Sequence, residues 1–137
     1  VKVIDDFGHH PTAIAQTLMA LRHRYPKHRL WAIFEPRSNT TRRAVFQDEL
    51  PNALKIADGV FISQVARLEQ IPETERLNPE GVMKEIKRAG RLAFYEQNAD
   101  AIVERIAPML KKNDIVTVFS NGGFDGIHEK LLRRLKS

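Results

Sequence analysis

The 137-residue chain contains no cysteine, which excludes disulfide bridges and thiolate-held metals and suits a reducing compartment. Aromatic residues are scarce, at 7% with one tryptophan, and no nucleic-acid-binding signature interleaves them with the basic residues. No apolar run approaches the roughly 20 residues of a membrane-spanning helix, and the amino terminus shows no signal-peptide pattern. A soluble, cytoplasmic protein is therefore expected. Two glycine motifs are also missing: neither Gly-x-Gly-x-x-Gly after a strand nor a Gly-x-x-Gly-Lys-Thr phosphate loop occurs. There is no internal repeat, low-complexity segment or internal domain boundary, and the length fits one domain over residues 1–137.

The composition, 42% hydrophobic and 28% charged, is that of a globular domain. Net charge is +5 and the isoelectric point is about 9.7. The basic residues are scattered, with clusters only at Arg22 to Arg29, Arg42-Arg43 and Arg133 to Lys136. A small substrate bearing phosphate or carboxylate accounts for that charge better than nucleic acid does, and no membrane partner is expected.

Along the chain, strand-length apolar runs alternate with helical periodicity. Val1, Val3 and Ile4 mark a first strand that breaks at a carboxylate pair. A helix opening at Pro11 carries Ile14, Leu18 and Leu21 and stops near Tyr25-Pro26. Residues 30–34 are continuously apolar, as in a strand buried on both faces. A second helix capped by Thr40 or Thr41 is expected to be interrupted or bent at Pro51 and to resume to Ala57, before a strand over residues 60–63. Residues 64–79 read as an ordered excursion. Pro79 opens a helix that Gly90 stops; residues 92–95 and 114–119 are strands, separated by a helix capped at Asn98 or Asp100; and a last helix runs from about Gly126 to Leu135. This alternation predicts an α/β fold, a Rossmann-like and mostly parallel sheet of about five to six strands with helices on both faces.

Polar groups collect where strands end, the place at which open α/β sheets bind ligands. Alternation sends Asp5 and Asp6 to opposite sides, so one faces the crevice while the other complements the first helix dipole or serves structure. His9 and His10 diverge and lack a third ligand, which argues against a metal. Arg37, held behind Pro36, can clamp a carboxylate with two hydrogen bonds or can be a solvated loop residue. In Ser120-Asn121-Gly122-Gly123-Phe124-Asp125-Gly126, the glycines permit positive φ and close approach of backbone N–H groups to an anion, or simply a tight turn. The Asp125 carboxylate weakens the anion reading and could meet an amino group instead. His128 is expected to be structural.

Three stretches carry a family resemblance. Asp5-Asp6-Phe7-Gly8-His9-His10-Pro11 resembles the Asp-(Tyr/Phe)-(Ala/Gly)-His-x-Pro signature opening the C-terminal domain of the Mur ligases, the ATP-dependent amide ligases of bacterial peptidoglycan synthesis. Residues 34–40, Phe-Glu-Pro-Arg-Ser-Asn-Thr, and the Ser120-Asn121-Gly122-Gly123-Phe124 loop point within that family to the recycling branch. The resemblance spans essentially the whole chain. It implies a C-terminal domain whose amino-terminal and central ATPase domains are absent. Such an enzyme joins UDP-N-acetylmuramic acid to the tripeptide L-Ala-γ-D-Glu-meso-diaminopimelate through an acyl phosphate, in peptidoglycan recycling. The alternatives are the L-alanine-adding member of the family and a Rossmann-type module that binds without chemistry. By the resemblance, Asp6 and His9 contact ATP, and Arg37, Ser38, Asn39, Arg42, Asn121, Gly122, Gly123 and Asp125 face the amine substrate. ATP and Mg²⁺ would be held mainly by the absent central domain, leaving no catalytic nucleophile in this chain.

Overall fold

Two strands, β2 (Leu30–Phe34), apolar throughout, and β5 (Ile115–Phe119), apolar except for Thr117, are buried at every position and lie side by side in the sheet. A computed structural model describes residues 1–8, 10–36, 46–65, 68–120 and 123–136. Around that pair stand β1 (Lys2–Asp6), β3 (Gly59–Ser63) and β4 (Leu92–Glu96), in the order β1-β5-β2-β3-β4, with every pairing parallel. The edges β1 and β4 are only partly buried, and they are the strands in which polar residues interrupt the apolar run.

Among the described residues five α-helices connect or follow these strands: α1 (Pro11–Arg24), α2 (Glu49–Leu54), α3 (Pro79–Arg88), α4 (Ala99–Ile106) and α5 (Ile127–Lys136). Alternate side chains of the central strands feed two cores. On one face Ile14 and Leu18 of α1, Leu50 and Leu54 of α2, and Val82 and Ile86 of α3 pack on Ala32, Phe34, Val60 and Ile62. On the other, Ile102 and Ile106 of α4 and Ile127 and Leu131 of α5 pack on Trp31, Ile33, Phe61, Val116 and Val118. Helices thus cover one face while the strands advance to β4, and α4 returns the chain beneath the other, as right-handed crossovers require.

Caps set several boundaries. Asn98 Oδ1 accepts from Ala101 N at 2.9 Å and starts α4, so Asn98 and not Asp100 is the cap. Asn78 Oδ1 does the same for Gly81 N at 3.2 Å in α3, which Gly90 leaves at a φ of 85°. His10 caps α1: its Nδ1 accepts from Thr12 N at 3.1 Å, and its ring meets Phe46 edge-on.

Three expectations change. The first strand does not break at the carboxylates but includes both, because Asp5 and Asp6 continue the register opposite Val118 and Phe119. Pro51 does not bend a helix: among the described residues α2 begins at Glu49, which puts the proline in the first turn, where its missing N–H costs no hydrogen bond. Helix α2 also ends at Leu54, short of Ala57. The excursion at residues 64–79 is tied down by Ile71 and Leu77, which are 1% and 4% exposed, and by Arg76 Nε donating to Ile71 O at 2.9 Å.

The amino ends of the strands are closed by ion pairs. Arg29 donates to both oxygens of Asp114 at 3.1 and 2.7 Å, and Trp31 Nε1 and Lys111 N donate to Asp114 Oδ2. Burial alone would raise the Asp114 carboxyl, but the hydrogen bonds from Arg29, Lys111 N–H and Trp31 outweigh it and hold the group below its ordinary value. Nearby, Asp58 receives Arg22 Nη2 at 2.9 Å and the Leu30 N–H at 2.8 Å, with Arg91 at 3.7 Å. The Arg22 to Arg29 cluster therefore neutralises turns at this end of the sheet.

Candidate substrate site at the carboxyl ends of the strands

Opposite that closed end, the chain leaves β1 toward α1 on one face and leaves β5 toward α5 on the other. The two exits diverge, which is the condition for a ligand crevice in an open α/β sheet. A cavity of about 80 Å³ lies there, lined by Asp5, Asp6, Phe7, Val118, Ser120 and Gly123.

Strand alternation separates the two carboxylates as expected. Asp6 turns toward α1: its Oδ1 accepts from Gly8 N at 2.6 Å and its Oδ2 from Thr17 Oγ1 at 3.0 Å. A Cβ at Gly8 would come within 2.8 Å of Asp6 Oδ1, so a larger residue here would require the carboxylate to shift. The turn and the first helix thus hold the carboxylate still, and each oxygen keeps lone-pair capacity for a further donor. Asp5 turns the other way. Its Oδ2 lies 2.9 Å from His128 Nδ1 of α5. That nitrogen is buried and makes no aligned hydrogen bond among the described residues, so the two groups are close without hydrogen-bond geometry. Phe7, between these features and His10, is 74% exposed.

Hydrogen bonds continue the sheet past its last residues. Ser120 N donates to Asp6 O at 3.1 Å, and Glu35 N donates to Phe119 O at 3.1 Å. Beyond them Ser120 Oγ donates to Glu35 Oε1 at 2.6 Å, joining the ends of β5 and β2 through side chains that are both buried. Sequence reading passed over this pair. Glutamate at the end of an apolar strand was the available signal, but its partner lies 85 residues away.

After β5 the backbone does something the glycine pattern only half announces. Positive φ occurs at Gly123 (65°) and Gly126 (71°), and also at Phe124 (47°) and Asp125 (53°) between them. Four successive residues make one left-handed turn, closed by Gly126 N donating to Gly123 O at 3.0 Å. For a non-glycine residue this conformation costs on the order of 1 kcal/mol or more. Phe124 is 2% exposed in the core beneath α5, and its burial offsets that cost. Asp125 is left exposed beside the crevice-lining Gly123.

Of the residues singled out from sequence, Asp6 and Gly123 meet at the cavity, and Asp125 follows two residues after Gly123 without lining it. His9, Arg37, Ser38, Asn39, Arg42, Asn121 and Gly122, and the expected caps Thr40 and Thr41, lie outside the described residues.

Taken with the all-parallel sheet, this arrangement of strand ends defines a Rossmann-like ligand-binding domain. The family model described as "Mur ligase, glutamate ligase domain" matches residues 1–122, and the chain belongs to that family. It is 39% identical over 137 residues to the UDP-N-acetylmuramate--L-alanyl-gamma-D-glutamyl-meso-2,6-diaminoheptandioate ligase of Haemophilus influenzae, covering 99% of this chain and 28% of that protein. The chain thus spans little more than a quarter of that relative's length. Among solved structures, a domain of the corresponding ligase of Haemophilus ducreyi superposes with a TM-score of 0.73 at 37% identity, over 97% of this chain and 89% of that one. The murein peptide ligase of Psychrobacter arcticus superposes with a TM-score of 0.75 at 34% identity, covering 97% of this chain and 27% of that one.

Proposed function

We propose that this chain is the C-terminal domain of a three-domain, ATP-dependent amide ligase that joins UDP-N-acetylmuramic acid to L-Ala-γ-D-Glu-meso-diaminopimelate in peptidoglycan recycling in the cytoplasm. The observation that carries this reading is the unbroken likeness, from β1 through α5, to a ligase named for that tripeptide. The site geometry supports it. Asp6 is a fixed, half-buried carboxylate with acceptor capacity left over, which suits paired hydroxyls such as those of the ATP ribose. By the family resemblance, His9 would also contact the nucleotide. Arg37, Ser38, Asn39 and Arg42 after β2, and Asn121, Gly122, Gly123 and Asp125 after β5, would read the tripeptide from neighbouring strand ends.

By the family resemblance Mg²⁺ would be held mainly by the central domain of the full-length ligase; among the described residues no three His, Cys, Asp or Glu side chains converge on a cation position. Bound ATP supplies the phosphoryl group that activates the muramyl carboxylate. This chain's part is to seat the ribose, present the amine and exclude water when the domains close, which lowers the barrier by orientation.

The test is ligation by the full-length enzyme with UDP-N-acetylmuramic acid, ATP and Mg²⁺, offering tripeptide or L-alanine. Tripeptide-dependent release of ADP is expected, with none from the 137-residue chain alone. Turnover only with L-alanine overturns the substrate assignment, and turnover by the isolated chain overturns the domain assignment.

A further inference from the structure

We propose that an open groove at the amino end of the sheet, lined by Arg22, Lys55, Ile56, Ala89 and Arg91, binds a phosphate group, free or carried on a small molecule. The groove has a volume of about 470 Å³, within the usual range for a small-molecule site, and lies at the end of the sheet opposite the crevice. This inference does not rest on the proposed function.

Three elements bring the cations together. Arg22 comes from the last turn of α1, Lys55 follows α2, and Arg91 stands between α3 and β4. Arg22 is spent on structure: its Nη1 donates to His28 O at 3.2 Å, and its Nη2 to Ile56 O at 3.2 Å and to Asp58 Oδ2 at 2.9 Å. The Leu30 N–H takes the same Asp58 oxygen at 2.8 Å. Arg91 is anchored at its root, where Nε donates to Lys55 O at 2.9 Å. Its Nη1 stands 3.7 Å from Asp58 Oδ1, too far for a hydrogen bond, so the outer edge of a fixed guanidinium has donors to spare. Lys55 is exposed, and neither Asp48 nor Glu85 of the adjoining groove comes within 4.0 Å of its ammonium; Glu85 is paired with Arg88 at 3.1 Å instead.

Arg22, Lys55 and Arg91 set against Asp58 leave an excess of two positive charges around the groove. Holding like charges together costs free energy that a bound anion recovers. A phosphate group carries about 1.5 to 2 negative charges at neutral pH and presents three acceptor oxygens, so it matches the excess and can meet Lys55 and the outer edge of Arg91 together. A carboxylate brings one charge and two oxygens.

The test is amide NMR of the 137-residue chain, with inorganic phosphate added at a constant salt of about 0.1 M, which screens exposed charges beyond about 10 Å. Saturable shifts at Ile56, Ala89 and Arg91 are expected, with a Kd of about 1 mM or below. Lys55→Gln and, separately, Arg91→Gln should each weaken binding about three- to fivefold, as the loss of one exposed charge pair does, whereas Lys55→Arg should stay within about twofold. Lys130→Gln removes a cation on α5 that is paired with Asp100 at 3.0 Å, and it should also stay within about twofold. Ribose 5-phosphate in place of phosphate separates the sources: tighter binding assigns a phosphate ester, and equal or weaker binding assigns free phosphate. Shifts that do not saturate, shifts at Gly123 and Gly126 instead of the groove, acetate binding as tightly as phosphate, or equal losses in Lys130→Gln and Lys55→Gln would each overturn the proposal.

Discussion

The two ends of this sheet are built from similar residue types and do opposite things with them. At the amino ends, Arg29, Trp31 and Asp114, with Arg22 and Asp58, pair cation with anion, and the Asp114 carboxylate is buried. At the carboxyl ends, Asp6 is held by N–H and hydroxyl donors and Asp125 is exposed on a strained turn. A carboxylate neutralised by arginine has little left to offer a ligand. One held by neutral donors keeps spare acceptor capacity, and on that difference we propose a structural end and a binding end.

If that division is real, the largest effects on stability should come from the amino ends and should leave substrate kinetics alone. Asp114→Ala strands Arg29 and the buried Trp31 N–H, at a cost of about 3 kcal/mol, the low end for a broken buried pair because Arg29 is 35% exposed. Chemical denaturation of the 137-residue chain measures it. The pH dependence follows in sign. Because the folded Asp114 carboxyl lies below its ordinary value, its contribution is complete above the unfolded carboxylate pKa of about 3.9 and is lost as pH falls through the lower folded value. The variant should thus lose part of the acid-side slope below about pH 4, and an unchanged slope would remove Asp114 from that role. A second amino-end variant, Gly59→Ala, drives a Cβ into the Trp31 ring and should cost about 2 kcal/mol or more by overpacking.

The binding end should show the reverse pattern. Asp6→Asn is isosteric: the amide oxygen can still accept from Gly8 N, and Thr17 Oγ1 can turn to accept from the new amide. Structure should survive while the charge offered to ribose hydroxyls is lost. In the full-length ligase the KM for ATP is expected to rise about tenfold, near the low end of 1.5–3 kcal/mol for a charged hydrogen bond. An unchanged KM with a lower melting temperature would return Asp6 to a purely structural part, tying the β1 exit to α1.

Legibility from sequence divides along a different line, between what is local and what is not. The apolar run of β2, the β5 strand and the Asn98 cap depend on neighbours a few residues away, and periodicity and turn chemistry expose them. The separation of Asp5 from Asp6 is equally local, a consequence of strand alternation. The Arg29–Asp114 and Ser120–Glu35 bonds each span 85 residues, and no pattern in the chain announces them. Positive φ at Phe124 and Asp125 escaped for another reason: it is imposed by burial of the phenylalanine against local preference, so reading glycines finds only the ends of that turn. Pro51 was misjudged because its effect depends on where its helix starts, and one residue's identity does not reveal that.

His10 gives the smallest expected effect and the sharpest test of the division, because it sits at the binding end and does structural work. Its Nδ1 accepts from Thr12 N and so satisfies one of the N–H groups that the first turn of α1 leaves open. Its ring leans edge-on against Phe46 at 4.7 Å between centroids. Neither contact requires a ligand. His10→Ala should cost about 1 kcal/mol, the usual loss for a side-chain cap, and lower the melting temperature of the 137-residue chain by about 4 °C. His10→Asn restores a capping oxygen without the ring, so it should recover most of that loss and leave only the Phe46 contribution. In the full-length ligase both variants should keep the KM for ATP and for the amine substrate within about twofold, since the cap turns its acceptor toward the α1 backbone and away from the crevice. A tenfold rise in either KM with an unchanged melting temperature would mean that the binding end extends to His10, and that proximity to the strand ends outweighs what a side chain is bonded to.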